Sequence, residues 1–163
     1  MVCKSFLHND PDVFQGHEIS LHDCVANHIT CDNGILRFDF SDGFWITLHH
    51  HANRSGKTLR TDAAMAEFTV EDMEDISLLV FTKKGWPRSC TCVENWRMEE
   101  LASAVNQGKC VLEFITQYRT CTEQMWICAI RSEKRPYYRE LQLYLPKSEA
   151  SYCWNNLCSD REW

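Results

Sequence analysis

The sequence predicts a mainly β protein of the α+β class, an antiparallel β-sandwich or curved sheet of about eight strands with one packed helix. Three observations lead to this fold. Apolar residues recur at every second position through most of the chain, which is typical of half-buried strands. Gly, Pro, Asn and Asp separate these runs at turn-like positions. One segment has the periodicity of an amphipathic helix.

Size and charge indicate a single domain, residues 1–163, and restrict its partners. The chain has 163 residues, of which 44% are hydrophobic, so it can bury a core of its own. The formal net charge of -6 disfavours nucleic acid and suits a basic protein partner. No apolar run approaches the roughly 20 residues of a membrane span. No secretory signal is visible either, so we expect a cytoplasmic protein without membrane contact.

A three-stranded meander is predicted over residues 18 to 50. Leu36, Phe38 and Phe40 alternate with polar residues, and the Ser41–Gly43 turn leads into a second alternating strand. The strand before them is predicted to be long and extended. The apolar positions of the two flanking strands are Ile19, Leu21, Val25, Ile29 and Cys31 before the turn, and Phe44, Ile46 and Leu48 after it.

The later segments predict further strands joined by short loops. Ile76–Phe81 is apolar at both parities and is predicted to be a central strand covered on both faces, ending at the Trp86–Pro87 loop. The tail, Ser151–Asn155, is predicted to pack against the sheet. Four other strands are predicted from their apolar residues: Ala66, Phe68 and Val70; Cys110, Leu112, Phe114 and Tyr118; Met125–Ile130; and Leu141, Leu143 and Leu145. A loop at Ser132–Pro136 is predicted between the last two of these strands.

The single helix is predicted from about Val93 to Gln107. Thr91 with Glu94 fits a capping box at its start. Gly108 can take the left-handed conformation that ends a helix. The residues of its predicted apolar face are Met98, Leu101 and Val105.

Ten cysteines would suit a disulfide framework in a small secreted protein, but this chain is large and shows no export signal. Several of them lie where a strand would place a small apolar side chain. We therefore expect reduced, mostly buried thiols.

Asp23 is the most informative candidate for a binding site, because it shares parity with apolar residues of the long predicted strand. A carboxylate on an apolar face needs partners. Three interpretations stay open: a structural hydrogen bond or ion pair, an exposed position before the strand begins, or a catalytic role. A lone carboxylate does not form an acid–base pair, so no catalytic residue is predicted. His22 joins Asp23 as a candidate binding residue.

Histidines and one tryptophan complete the candidates. On a strand, His49 and His51 would share a face, but a zinc site needs a third ligand, and neither His17 nor His22 can be placed nearby. We therefore predict no metal site and no cofactor, and keep both histidines as candidate binding residues. Trp45 lies on the polar parity of its strand. It is either an outward binding anchor or covered by the helix or a second sheet.

One pattern of apolar, aspartate and glycine residues carries a resemblance to known proteins. It consists of Leu21–Cys24, Ile29, Asp32, Gly34, Leu36, Phe38, Phe40, Asp42 and Gly43, with Tyr152–Asn155 in the tail. The pattern resembles small β-rich bacterial proteins, some of which are predicted immunity proteins of polymorphic toxin systems. This resemblance implies a compact intracellular binder, and no catalytic residue is carried over from it.

Three classes of function follow from these observations. The favoured one is a non-enzymatic protein-binding module, with an immunity protein that neutralises a basic toxin as its specific form. The second is a small-ligand-binding protein or enzyme with a cleft around Asp23 and nearby histidines. The third is a structural or assembly subunit.

Overall fold

The computed structural model describes residues 6–11, 18–85, 90–120, 123–146 and 149–163. Of the described residues, 59% are in strands and 8% in helical segments, which confirms the predicted mainly β class. The strands are β1 (His8–Pro11), β2 (Ile19–Ser20), β3 (Cys24–Ala26), β4 (His28–Asp32), β5 (Ile35–Phe40), β6 (Trp45–Ile46), β7 (Leu59–Thr61), β8 (Ala64–Thr69), β9 (Ser77–Lys84), β10 (Cys90–Trp96), β11 (Val111–Arg119), β12 (Glu123–Arg131), β13 (Tyr138–Pro146), β14 (Glu149–Trp154) and β15 (Leu157–Glu162). The helix α1 spans Met98–Asn106, and a short 3-10 helix spans Met73–Asp75.

These strands form three antiparallel sheets. A five-stranded sheet has the order β1-β14-β8-β5-β4, and a six-stranded sheet has the order β10-β9-β13-β12-β11-β3. A four-stranded sheet has the order β15-β7-β6-β2. Of the predicted tail, residues 151–154 belong to β14, a strand inside the five-stranded sheet, and Asn155 follows it.

The core lies between the five-stranded and six-stranded sheets. Phe38 on β5 meets Phe114 on β11 with ring centroids 5.3 Å apart, and Phe114 meets Trp126 on β12 at 5.2 Å. Aromatic rings in such edge-to-face contacts add to the stabilisation that burial already gives. The apolar face of α1, formed by Met98, Leu101 and Val105, is buried in the same core, as the sequence predicts.

Helix α1 also protects an edge of the five-stranded sheet. Asn106 in its last turn accepts a hydrogen bond from the backbone N–H of Ile29 (2.8 Å) and donates one to the carbonyl of the same residue (2.7 Å). Its side-chain amide therefore pairs with β4 as a neighbouring strand would. A paired or covered edge cannot recruit another chain.

The predicted long strand before the meander is wrong, because the chain turns between Leu21 and Cys24. The backbone N–H of Cys24 donates to the carbonyl of Leu21 (2.9 Å), and Asp23 has a left-handed φ of 55°. This turn changes which parity points inward, so Cys24 and Ala26 are buried while Val25 is partly exposed. The stretch is divided into β2, β3 and β4.

The predicted helix start is also wrong. Residues 90–96 form β10, which pairs with β9 from Cys90 opposite Lys84 to Trp96 opposite Leu78. The helix begins only at Met98, after a turn in which the Arg97 N–H donates to Oε2 of Glu100 (2.8 Å). Thr91 and Glu94 therefore lie on a strand and form no capping box, whereas Gly108 ends the helix with a φ of 66° as predicted.

A bulge in β11 corrects the prediction for Tyr118. The register with β12 shifts between Phe114 and Thr116, so Ile115 is the additional residue. Beyond a bulge the facing of side chains is reversed. Tyr118, which shares the sequence parity of buried Leu112 and Phe114, is 53% exposed for this reason.

Two further predictions concern thiols and membrane contact. None of the eight described cysteines is paired in a disulfide, and four of them, Cys24, Cys110, Cys128 and Cys153, are buried. Within the described ranges, no helix is both long and apolar enough to cross a bilayer. The predicted Trp86–Pro87 loop lies outside the described residues, whereas the Ser132–Pro136 segment is a loop as expected.

Candidate functional site

His22 is held in one orientation by the bulge of β11. Its Nδ1–H donates to the carbonyl of Ile115, the additional residue of that bulge. With Nδ1 engaged, Nε2 lies 3.4 Å from Oδ2 of Asp23. A bulge that aims a side chain is a frequent feature beside functional sites.

Asp23 is exposed, which agrees with the second of its three interpretations. β3 begins immediately after it, and 60% of its side chain is accessible to solvent. Its backbone N–H donates to the carbonyl of Phe114 (2.8 Å), which fixes the left-handed residue against β11. Asp adopts this conformation more readily than most residues, and backbone strain of this kind clusters at binding sites.

Trp45 lies beside this pair, covered by residues that the sequence did not point to. Its indole N–H donates to the carbonyl of His22 (3.1 Å), and the guanidinium of Arg60 lies over its ring at 4.9 Å. Trp163 stacks on His22 at 5.3 Å and contacts Trp45 at the same centroid distance. The cover is therefore neither the helix nor a second sheet.

We call His22, Asp23, Trp45 and Trp163 the aromatic corner. The structure thus brings together three of the five predicted binding residues and adds Trp163, which is 64% exposed. No spacing in the sequence relates Trp163 to His22. Its position depends on β15, which returns to pair with β7 and places the last residue beside the turn at Leu21–Cys24.

His49 and His51 do not join Asp23. β6 ends at Ile46, and the histidines follow in a turn, so the strand alternation assumed for them does not apply. His49 and His51 are exposed, whereas His50 is buried with its Nε2 atom 3.1 Å from Oδ2 of Asp10. In the described part of the chain, Asp10, His50 and His51 form the only group of three side chains close enough to share a metal ion.

The outer face of the six-stranded sheet is a larger surface that the sequence analysis missed. Cross-strand partners lie on the same face of a sheet, and the register places Val93, Phe81 and Glu140 in one row. We call this surface the open face. Its apolar members are Leu79, Phe81, Val93, Tyr118, Met125, Ile127 and Tyr144.

The open face corrects the prediction for β9. Leu78 and Val80 point into the core, but Leu79 and Phe81 on the opposite face remain partly exposed. The five-stranded sheet packs on the other side, and α1 contacts β4. The two apolar parities of β9 therefore correspond to a buried core on one side and a partly exposed apolar surface on the other.

Charged groups lie within the open face, and its row of residues connects it with the aromatic corner. Glu140 and Glu113 lie on either side of Ala129 in one row, which continues to Val25 on β3. Glu113 pairs with Arg131 and is the main cause of the raised pKa of that guanidinium, to which the nearby Asp23 adds. The two surfaces therefore meet at β3.

Comparison with protein-family models, curated proteins and solved structures finds no match to this chain. The resemblance to immunity proteins accordingly remains a prediction from the sequence pattern. The open face and the aromatic corner are then the features from which a function can be inferred.

Proposed function

We propose that this chain is a protein-binding module of the immunity type, which holds a basic toxin partner against the open face. One observation carries the proposal: the row of Tyr144, Met125 and Tyr118, which crosses β13, β12 and β11, consists of side chains that remain partly or largely exposed. Contiguous apolar patches on soluble proteins mark interaction sites more often than chance. Tyr, Phe and Met, which dominate this patch, are enriched at interfaces.

The charge of the molecule supports a basic partner. The formal net charge is -6, and Glu140 lies among the apolar residues of the open face, whereas Glu113 is already paired with Arg131. Complementary charge speeds encounter and excludes acidic competitors, while buried apolar contacts supply most of the affinity. In a bacterial cytoplasm, such a module would neutralise a toxin by covering its active surface.

The aromatic corner suits an arginine side chain of that partner. Trp163 offers an exposed ring, and Asp23 offers an exposed carboxylate beside it. Guanidinium groups stack on indole rings and pair with carboxylates at the same time. The corner would therefore act as an anchor at the β3 end of the open face.

The test uses the protein encoded next to this chain as the candidate partner. Val93 and Tyr118 are 55% and 53% exposed, so the double variant Val93→Arg/Tyr118→Ala changes the open face without disturbing the core. We expect wild type to relieve growth arrest caused by that protein. The double variant should bind it about 10–100-fold more weakly in calorimetry, as for central interface residues.

Leu48→Arg is the matched control, because Leu48 is an exposed apolar residue (47%) in the turn after β6. It should bind like wild type. Equal binding by wild type and the double variant would remove the open face from the interface. Absence of any binding to the neighbouring gene product would contradict the immunity proposal.

A further inference from the structure

Three ligand-type side chains meet where β1 lies against the turn after β6. Nε2 of His50 lies 3.1 Å from Oδ2 of Asp10, and Nε2 of His51 lies 3.8 Å from Oδ1. Atoms that share a tetrahedral zinc ion at about 2.0–2.1 Å lie about 3.3–3.4 Å from one another. The three atoms all lie within 4.8 Å, so small side-chain rotations bring them into a coordination sphere.

The carboxylate of Asp10 faces both histidines. Its Oδ2 atom is buried, with Nε2 of His50 3.1 Å away. A buried carboxylate oxygen without a donor or a cation is costly. Nδ1 of His50 accepts a hydrogen bond from the Ala52 N–H (3.1 Å), so the ring proton lies on Nε2 and faces this oxygen, at the position that a metal ion would take.

The turn that carries the histidines is held rigidly. Asn53 is buried, and its Nδ2 donates to the carbonyls of Ile46, Thr47 and Lys57 at 2.7–3.0 Å. The His50 ring stands edge-on to Trp154 at 5.4 Å and stacks on His51 at 4.5 Å. Supporting contacts of this kind hold ligands in place before a metal ion arrives.

We propose that Asp10, His50 and His51 bind one divalent transition-metal ion of the zinc class. Two imidazoles with one carboxylate favour Zn²⁺ or Co²⁺ over Ca²⁺ and Mg²⁺, which prefer sites built of oxygen ligands. His51 is 72% exposed, so one side of the site opens to solvent and leaves a coordination position for water. The proposal is independent of the partner discussed above.

The hydrogen bond from the Ala52 N–H to Nδ1 of His50 limits the affinity of the site for a metal ion. When Nε2 of His50 binds metal, the ring proton moves to Nδ1 and faces the Ala52 N–H, so that contact must open. Loss of one such bond weakens binding by about 10–100-fold. We therefore expect micromolar rather than nanomolar dissociation constants.

Titration of the full chain with Co²⁺ and Zn²⁺ tests the site. Cys90 and Cys92 are a competing pair of soft ligands on β10, so the titration uses a Cys90→Ser/Cys92→Ser background. We expect one ion per chain, visible Co²⁺ bands without thiolate charge transfer, and a rise in Tm with added Zn²⁺. His51→Ala and Asp10→Asn should each weaken binding at least about tenfold.

His49→Ala is the matched control, since His49 is an exposed histidine in the same turn and outside the cluster. It should keep the affinity of the background protein within about twofold. Circular dichroism without metal shows whether each variant is folded, and exposed His51 keeps the test valid if Asp10→Asn unfolds. No saturable binding, equal losses in the His49 and His51 variants, or thiolate bands would each overturn the proposal.

Discussion

The turn after β5 depends on the absence of a side chain at Gly43. Its φ is 72°, and a Cβ atom built there would lie 2.3 Å from the carbonyl oxygens of Thr61 and Asp62. Thr61 is fully buried, and its hydroxyl accepts a hydrogen bond from the Phe44 N–H (3.0 Å). Because backbone atoms surround the site, it cannot relax by moving a flexible side chain.

Gly43→Ala should therefore lower the free energy of unfolding by about 3–5 kcal/mol, the range of severe core overpacking combined with backbone strain. Gly56→Ala is the control, because Gly56 has a similar φ of 75° but nothing within 4 Å of a Cβ atom. That variant should lose only about 1 kcal/mol, the cost of the left-handed backbone alone. Urea unfolding of both variants measures the difference, and equal losses would contradict the steric explanation.

Single residues also mark the limit of sequence reasoning. Asp23 is a candidate because it shares parity with apolar residues, but its left-handed φ and the turn at Leu21–Cys24 reverse that parity. Local alternation cannot reveal such a turn, since no glycine or proline marks it. Trp163 became part of the site only through the pairing of β15 with β7, a contact between distant segments.

Among the elements, β10 and α1 show why the helix start was mispredicted. Thr91, Glu94 and Met98 fit a helical template, yet residues 90–96 gain a full hydrogen-bonded ladder with β9. Tertiary pairing of this kind overrides local propensity. The second half of the helix was predictable because its apolar residues follow the helical period without interruption and Gly108 ends it.

Asn106 provides a test of how α1 protects β4. Asn106→Ala removes both hydrogen bonds to Ile29 and should lower the free energy of unfolding by about 1–3 kcal/mol. The backbone amide of Ile29 should then exchange with solvent faster than in wild type, measured by native-state hydrogen exchange. Gln107→Ala, at the neighbouring exposed position, should leave that amide unchanged. Unchanged Ile29 exchange in Asn106→Ala would contradict a protective role.

Over the molecule as a whole, the alternating pattern predicted the β class and most core positions. Leu36, Phe38 and Phe40 are buried as expected, and so are Leu141, Leu143 and Leu145. The sheet order could not be predicted, because β14 lies between β1 and β8, far from both in sequence. The open face was missed for the same reason: burial on the second side of β9 depends on which layer covers it.

Buried thiols should make the stability of the protein depend on alkaline pH. Burial raises the pKa of Cys24 from 9.0 to about 12, with Arg60 acting in the opposite direction. Above pH 9 this thiol therefore ionises in the unfolded chain but not in the folded one. The contribution of the buried thiol to the free energy of unfolding is complete below pH 9 and is lost as pH rises toward 12. Between about pH 8 and 10.5, ionisation of Cys24 alone should lower the free energy of unfolding by about 2 kcal/mol.

Urea unfolding at these two pH values tests that contribution. In Cys24→Ala, the loss of stability between them should be about 2 kcal/mol smaller than in wild type. Other alkaline titrations are common to both proteins and cancel in the comparison. Cys90→Ala, which removes an exposed thiol, should keep the wild-type pH dependence. An identical slope in Cys24→Ala would show that this thiol is not protected by folding.

The position of β14 has a consequence for biosynthesis. Asp10 and the other residues of β1 find their hydrogen-bonding partners in Ser151–Trp154, so β1 leaves the ribosome long before the strand with which it pairs. The five-stranded sheet cannot form before β14 has been translated, and the open face is exposed throughout that interval. Association with a chaperone or with an early-bound partner would therefore be most valuable before β14 emerges.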